Sequence, residues 1–263
     1  MNITIFSKDR ACQLDFLLKS MEQHFVEYKD TKINVIIKYK NDLHKRAYEK
    51  LFCDFPNIHK IIESPTTSFK QLTLKSLDVG EKYTTFFVDD NVFKNRFSMK
   101  DPEVLKMCSY ENLCVSLRMC EGMNYCHSAR FHYNDVPKIR DGRWEWRGYE
   151  GDWGYPMSLD GHIFRTADVT GLLHRIPFNN PNELEYNMSL NPFHQDYMVC
   201  YKESVIFNNP LNRVHNNNNT PHANVSEDML AEMYLSGKKI KLSKDTKDIK
   251  FTSPHFDIPI VLI

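Results

Sequence analysis

An α/β fold with a mostly parallel central sheet, flanked by helices, is the architecture this chain predicts. Three observations carry it. Short β-branched and aromatic runs alternate with amphipathic segments through the first hundred residues, at the pitch of βαβ units. The fourth run, Phe86-Phe87-Val88, breaks abruptly into Asp89-Asp90-Asn91, and ligands collect where strands of an open α/β sheet end. The 263 residues, 41% hydrophobic and 13% aromatic, suffice for a sizeable core.

The elements follow in order. Asn2 to Phe6 is a strand, broken by Ser7-Lys8-Asp9-Arg10. Leu14, Leu17, Leu18, Met21 and Phe25 then keep helical spacing. Ile33 to Tyr39 is a second strand, followed by a helix whose apolar side carries Ala47, Tyr48, Leu51, Phe52 and Phe55. Ile58 to Ile62 is a short third strand, and Ser68-Phe69-Lys70-Gln71 opens a helix through Leu72, Leu74 and Leu77. Phe86 to Val88 is the fourth strand. Right-handed crossovers are expected between such units.

The second half changes character. Asp101-Pro102 starts a short helix, and Leu113 to Leu117 has the composition of a strand. Trp144, Trp146, Tyr149, Trp153 and Tyr155 crowd an irregular segment, where their rings would either stack on sugar faces or pin the loop. Ser158-Leu159-Asp160-Gly161-His162-Ile163-Phe164-Arg165 precedes a helix from Ala167 to about Ile176. Pro181-Asn182-Glu183-Leu184-Glu185 is a helix start, with Asn182 as its cap and acids in the first turn. Val205 to Phe207 is a short strand, Asn208 to Asn219 a polar loop, and Ser226 opens an amphipathic helix ending at Gly237. The apolar tail Ile258 to Ile263 suits a last strand or a docking segment.

Lys+Arg and Asp+Glu are both 34, so no global field points to nucleic acid. An odd count of seven cysteines without a C-x-x-C pair, and no leader-like apolar run, predict a reducing cytoplasm. The cysteines at 108, 114, 120 and 126 fit no zinc spacing and are expected as small core hydrophobes. No apolar run reaches the roughly 20 residues of a membrane span; peripheral membrane contact stays open.

Adjacent acids at the end of a buried strand call for a divalent cation, and through it a polyphosphate; the plain alternative is a solvated turn. Taken together, the Ser7–Arg10 loop, Val88-Asp89-Asp90-Asn91, Ser158 to Arg165 and Pro210-Leu211-Asn212-Arg213-Val214-His215 resemble the GT-A family of nucleotide-sugar-dependent glycosyltransferases, over roughly Asn2 to Ile240. The resemblance implies a Rossmann-like GT-A fold whose residues 1–100 bind the nucleotide sugar and whose irregular half, 101–263, binds the acceptor. It implies that Ser7, Lys8, Asp9 and Arg10, with Phe69, Lys70 and Gln71, hold base, ribose and phosphate. The family's D-x-D motif falls on Asp89, Asp90 and Asn91, with an amide in place of the last acid. Mn²⁺ or Mg²⁺ would then be held by Asp90, Asn91 and the late His215. Glu185 is the first choice for the base that takes the acceptor's proton; Glu183 and Asp160 are the reserves. The implied partners are a nucleotide sugar, UDP-linked by preference, and a glycan acceptor.

Other classes fit less well. A dehydrogenase needs G-x-G-x-x-G after the first strand, and Ser7 to Cys12 contains no glycine. A haloacid-type phosphatase carries its acid pair after the first strand. A nucleotidyltransferase acting on sugar phosphates shares the sheet but expects a Gly-rich basic loop. A non-catalytic carbohydrate-binding protein leaves Asp89 and Asp90 without a purpose.

Overall fold

The computed structural model describes residues 1–191, 193–213 and 223–263. His215 and the asparagines at 216–219 lie outside the described residues. The first half runs β1 (Asn2–Lys8), α1 (Ala11–His24), β2 (Ile33–Lys38), α2 (Asp42–Asp54), β3 (His59–Ile62), α3 (Phe69–Lys75), β4 (Tyr83–Val88) and β5 (Asn91–Phe93). There follow α4 (Pro102–Leu105), β6 (Asn112–Cys120), β7 (Tyr125–Cys126), β8 (Phe131–His132), β9 (Arg143–Glu145) and β10 (His162–Arg165). The remainder is α5 (Thr166–Arg175), α6 (Pro181–Ser189), β11 (Tyr197–Tyr201), β12 (Ile206–Asn208), α7 (Glu227–Leu235), β13 (Ile240–Leu242) and β14 (Ile260–Leu262).

One eight-stranded sheet, in the order β3-β2-β1-β4-β10-β6-β11-β9, organises the molecule. The first four strands are mutually parallel, Phe6 facing Ile36 on one side and Val88 on the other. β10 runs antiparallel between β4 and β6, and β11 is parallel to β6. The expected mostly parallel α/β sheet is therefore present. Its strands alternate as a sheet covered on both faces must. Ile3, Ile5, Val35 and Ile37 pack in one apolar layer with Leu14, Leu17, Leu51 and Tyr234. Phe6, Ile36 and Phe86 join the opposite layer with Phe69, Leu172 and Leu184.

Three expectations change. Trp144, Trp146 and Trp153 are all buried, and each indole N–H donates to a backbone carbonyl, of Trp153, Gln195 and Met123 respectively. They pin the irregular segment and offer no open sugar platform. Five cysteines are buried, but Cys53 and Cys108 are exposed. The cap of α6 is Asn180, whose side chain accepts from Glu183 N; Asn182 is not the cap. Among the described residues no helix is long and apolar enough to cross a membrane.

Gly161 fixes how the second half reaches the first. Its φ is +69°, and a Cβ there would lie 2.3 Å from Ile206 Cδ1 and 3.1 Å from Phe87 Cε1. Its N–H donates to Phe86 O and its carbonyl accepts from Leu117 N. Only glycine gives that turn and that close approach, which sets Asp160 beside the end of β4.

Candidate functional site

Strand order reverses between β1 and β4, and there the carboxyl ends of parallel strands leave a crevice. A cleft of about 200 Å³ opens at this point. Phe6, Ser7, Lys8 and Arg10 reach it from β1 and its exit, Ile36 and Lys38 from β2, Glu63 from beyond β3, and Asp89 and Asp90 from the end of β4. Asp160, Asn182 and Glu185 close one side, and Asn208, Asn212, Arg213 and His255 another.

Asp89 is built into the floor. It accepts from Ser7 Oγ at 2.8 Å, Lys8 N at 3.2 Å and Arg10 Nη1 at 2.9 Å. Ser7 also pairs with Tyr48 Oη at 2.7 Å. Arg10 continues to Asn212, donating from Nε to Oδ1 at 2.7 Å and from Nη2 to the carbonyl. The first-strand loop and the 208–213 segment are thereby clamped together. Asp9 sits at φ +56° and takes Lys40 N at 2.7 Å, joining the exits of β1 and β2. It does not line the cleft.

Asp90 is different. Its carboxylate takes Asn208 Nδ2 at 3.0 Å and stands 3.6 Å from Arg10 Nη1. Burial raises its pKa, Arg10 opposes that rise, and the charges of Asp160 and Asp89 add to it. Asp160 is the better compensated acid. It accepts from Asn208 at 2.9 Å and Asn91 at 3.3 Å, and pairs with Arg118 at 3.4 Å. Burial pushes Asp160 up, but Arg118, His255 and the two amides more than offset it, so its pKa is lowered. Arg118 is itself buried and also pairs with Asp152 at 3.1 Å.

Glu185 projects from α6, half-buried, and accepts Leu159 N at 2.9 Å. Burial and the charge of Asp160 raise it to about 7, against Leu159 N, Arg118 and Ser158. A carboxylate poised near neutrality is suited to proton transfer. Glu183 instead takes the N–H of Asn179 and the amide of Asn180, holding the start of the helix.

The remaining expected residues divide. Phe69 lines the cleft and packs on Phe6 at 5.3 Å between ring centroids. Lys70 donates to the carbonyls of His174 and Ile176, and Gln71 completes a capping box with Ser68; neither lines the cleft. Asn91 has its Oδ1 occupied by Val88 N at 2.9 Å while its Nδ2 goes to Asp160.

A cation is the group that the resemblance at Asp89, Asp90 and Asn91 implies. No three His, Cys, Asp or Glu among the described residues are grouped to hold one. Two cleft-lining residues nevertheless carry buried polar atoms without a hydrogen-bond partner among the described residues, Asn208 Oδ1 and His255 Nδ1. Beside an under-compensated Asp90, this donor set fits an ion that takes its other ligands from phosphate and water.

Arg118, Asn208 and His255 join the site without belonging to any motif of the sequence. An arginine inside the buried run Leu113 to Met119 is a readable signal, since such charges persist only when paired. Asn208 and His255 lie in segments with no periodicity to mark them.

No family model matches the chain. The "Bifunctional glycosyltransferase pgtA" of Dictyostelium discoideum is 23% identical over 297 residues, spanning 97% of this chain and 38% of its own length. Nearly the whole of this chain is thus similar in sequence to a glycosyltransferase. It covers well under half of that curated relative. Among solved structures, a mannosyltransferase from Pyrobaculum calidifontis, in complex with GDP-Man and Mn²⁺, aligns with a TM-score of 0.47 and 10% identity, over 78% of this chain and 56% of that one. S. aureus TarS aligns at 0.49 and 14%, over 78% and 36%. Similarities at that level decide nothing about this chain's donor, acceptor or metal.

Proposed function

We propose that the chain transfers a sugar from a nucleoside-diphosphate sugar, UDP-linked by preference, to a hydroxyl of a glycan or similar acceptor. The observation that carries this reading is one cleft with two chemically distinct ends. Arg10, Asp90, Asn208 and His255 gather at one, Glu185, raised to about 7, stands at the other, and Asp160 lies between them, accepting from Asn208 at 2.9 Å and near enough to Glu185 to raise it. The first end suits a diphosphate with its counter-ion. The second suits a reaction that needs a proton removed.

In this reading the nucleotide lies along the ends of β1, β2 and β4, with Phe6, Ile36 and Phe69 beside the base. Arg10 neutralises phosphate charge. Asp90, Asn208 and His255 hold the cation; an imidazole among the donors favours Mn²⁺ over Mg²⁺. When bound, the ion offsets charge on the β-phosphate. Glu185 accepts the acceptor hydroxyl's proton as that oxygen bonds to the anomeric carbon. The bond from that carbon to the β-phosphate oxygen breaks, and the nucleoside diphosphate leaves with the electron pair. Asp160, kept ionised by Arg118, orients the donor sugar. A single displacement of this kind inverts the anomeric configuration. Residues 1–100 supply most of the nucleotide side and 101–263 the acceptor side, with Asn208 and His255 crossing back to the phosphate.

The test is a screen of nucleotide sugars for Mn²⁺-dependent release of nucleoside diphosphate. Release from one or two of them, lost in Asp90→Ala, supports the reading. No release from any refutes it.

A further inference from the structure

Helix α6 carries Asn182, Glu185 and Ser189 at spacings of three and four residues, which places them along one face. Asn182 and Glu185 line the donor cleft. Ser189 lines a second, open groove of about 480 Å³, shared with Arg147, Gly148, Tyr155 and Pro156. Tyr155 joins the two: it stands beside Ser189 and close enough to Glu185 and Asp160 to sense their charges. One helix face and one tyrosine therefore run from the carboxylate poised near neutrality to a separate binding groove.

The chemistry of that groove is specific. Among the described residues that line it, Arg147 is the one cation, and it is already committed. It donates to Asp196 at 2.9 Å and to Phe193 O at 2.7 Å, and lies 4.4 Å over the Trp146 ring. The other polar lining is neutral: the Tyr155 hydroxyl, the Ser189 hydroxyl, which donates to Tyr186 O at 2.7 Å and keeps its oxygen as an acceptor, and the backbone of Gly148 and Gly154, beside the rings of Tyr155 and Pro156. Gly154 lets the wall close, since a Cβ there would lie 1.8 Å from Tyr149 O. Tyr186 on the next stripe of α6, and Leu190 just past its end, are 62% and 58% exposed. Hydroxyl partners below and flat apolar surface alongside match a sugar ring, with its equatorial hydroxyls and C–H face.

We infer that this groove is the acceptor subsite, that it takes an uncharged saccharide, and that it directs one hydroxyl toward Glu185. The inference rests on the reading of the donor cleft given above. Transfer is measured with the donor that the nucleotide-sugar screen identifies. The acceptors are p-nitrophenyl β-D-galactopyranoside, β-D-glucopyranoside and N-acetyl-β-D-glucosaminide, with the β-D-glucuronide as the charged comparison. At least one neutral glycoside is expected to be used in preference to the glucuronide. Ser189→Phe fills the groove, and Tyr155→Phe removes a single hydroxyl. Both are expected to raise the acceptor KM, the second by about two- to tenfold, and to lower the ratio of transfer to donor hydrolysis. An acceptor KM unchanged in both folded variants overturns the subsite. Donor hydrolysis without transfer to any neutral glycoside overturns the saccharide assignment while leaving the donor cleft standing. No turnover of any nucleotide sugar removes the underlying reading itself.

Discussion

Replacing Glu185 by Gln keeps an oxygen for Leu159 N to donate to, 2.9 Å away in the parent chain, and deletes only the ability to take a proton. The wild-type carboxyl is raised to about 7 by burial and by Asp160. About a tenth of it is ionised at pH 6 and about nine-tenths at pH 8. If ionised Glu185 is the base, kcat/KM for transfer rises nearly tenfold between those two values and levels off above. General-base assistance is worth about 10²–10⁴-fold, so the Gln variant is expected to lose that much and to lose the acid limb as well. The assay is initial-rate release of nucleoside diphosphate with saturating acceptor, across pH 5.5 to 8.5, with donor KM followed in parallel. A Gln variant within about threefold of wild type, or one that keeps the same acid limb, refutes the assignment. Tyr155→Phe does not mimic this result, because the tyrosine is pushed above its ordinary range and stays protonated throughout.

Asp89 and Asp90 are adjacent but predict opposite outcomes. Asp89→Ala takes away the closer carboxylate of Arg10, held at 2.9 Å, and the acceptor of Ser7 Oγ and Lys8 N, and should cost about 1–3 kcal/mol in denaturant unfolding. Asp90→Asn removes a charge that burial, Asp160 and Asp89 already disfavour, so apo stability should hold or rise while Mn²⁺-dependent nucleotide binding is lost. Gly161→Ala forces a Cβ to 2.3 Å from Ile206 Cδ1 at a φ of +69°. About 1–3 kcal/mol of destabilisation, with a lower kcat from a displaced Asp160, is the expected result.

Much of the fold is legible in the chain because period-two and period-3.6 patterns survive wherever an element has one buried face. β1, β2 and β4 with the helices between them declare themselves this way, and so does the break at Asp89. The antiparallel insert β10 and the short strands β9 and β11 do not, since a handful of residues between loops carries little periodicity. The cleft is legible where a charge interrupts an apolar run, as at Asp89 and Asp90. Lys70, Gln71 and Glu183 stand at helix starts, where polar side chains serve caps and carbonyls as readily as ligands. Asn208 and His255 reach the cleft through long-range contacts, β12 on β5 and the 208–255 bridge, which no local pattern encodes. The tryptophans mislead for a related reason: an aromatic in an irregular segment is as good a core anchor as a sugar platform.

Thermal unfolding with and without nucleoside diphosphate and Mn²⁺ tests the central claim most directly. Ligand at a hundred times its Kd stabilises the folded chain by about 2.7 kcal/mol, which corresponds to a rise in Tm of roughly 5–10 °C at this size. The two-ended cleft predicts that rise with UDP or GDP plus Mn²⁺, a smaller one with nucleotide alone, and no gain from Mn²⁺ beyond the nucleotide-alone rise in Asp90→Ala. An unchanged Tm with every nucleoside diphosphate, metal present or absent, contradicts it.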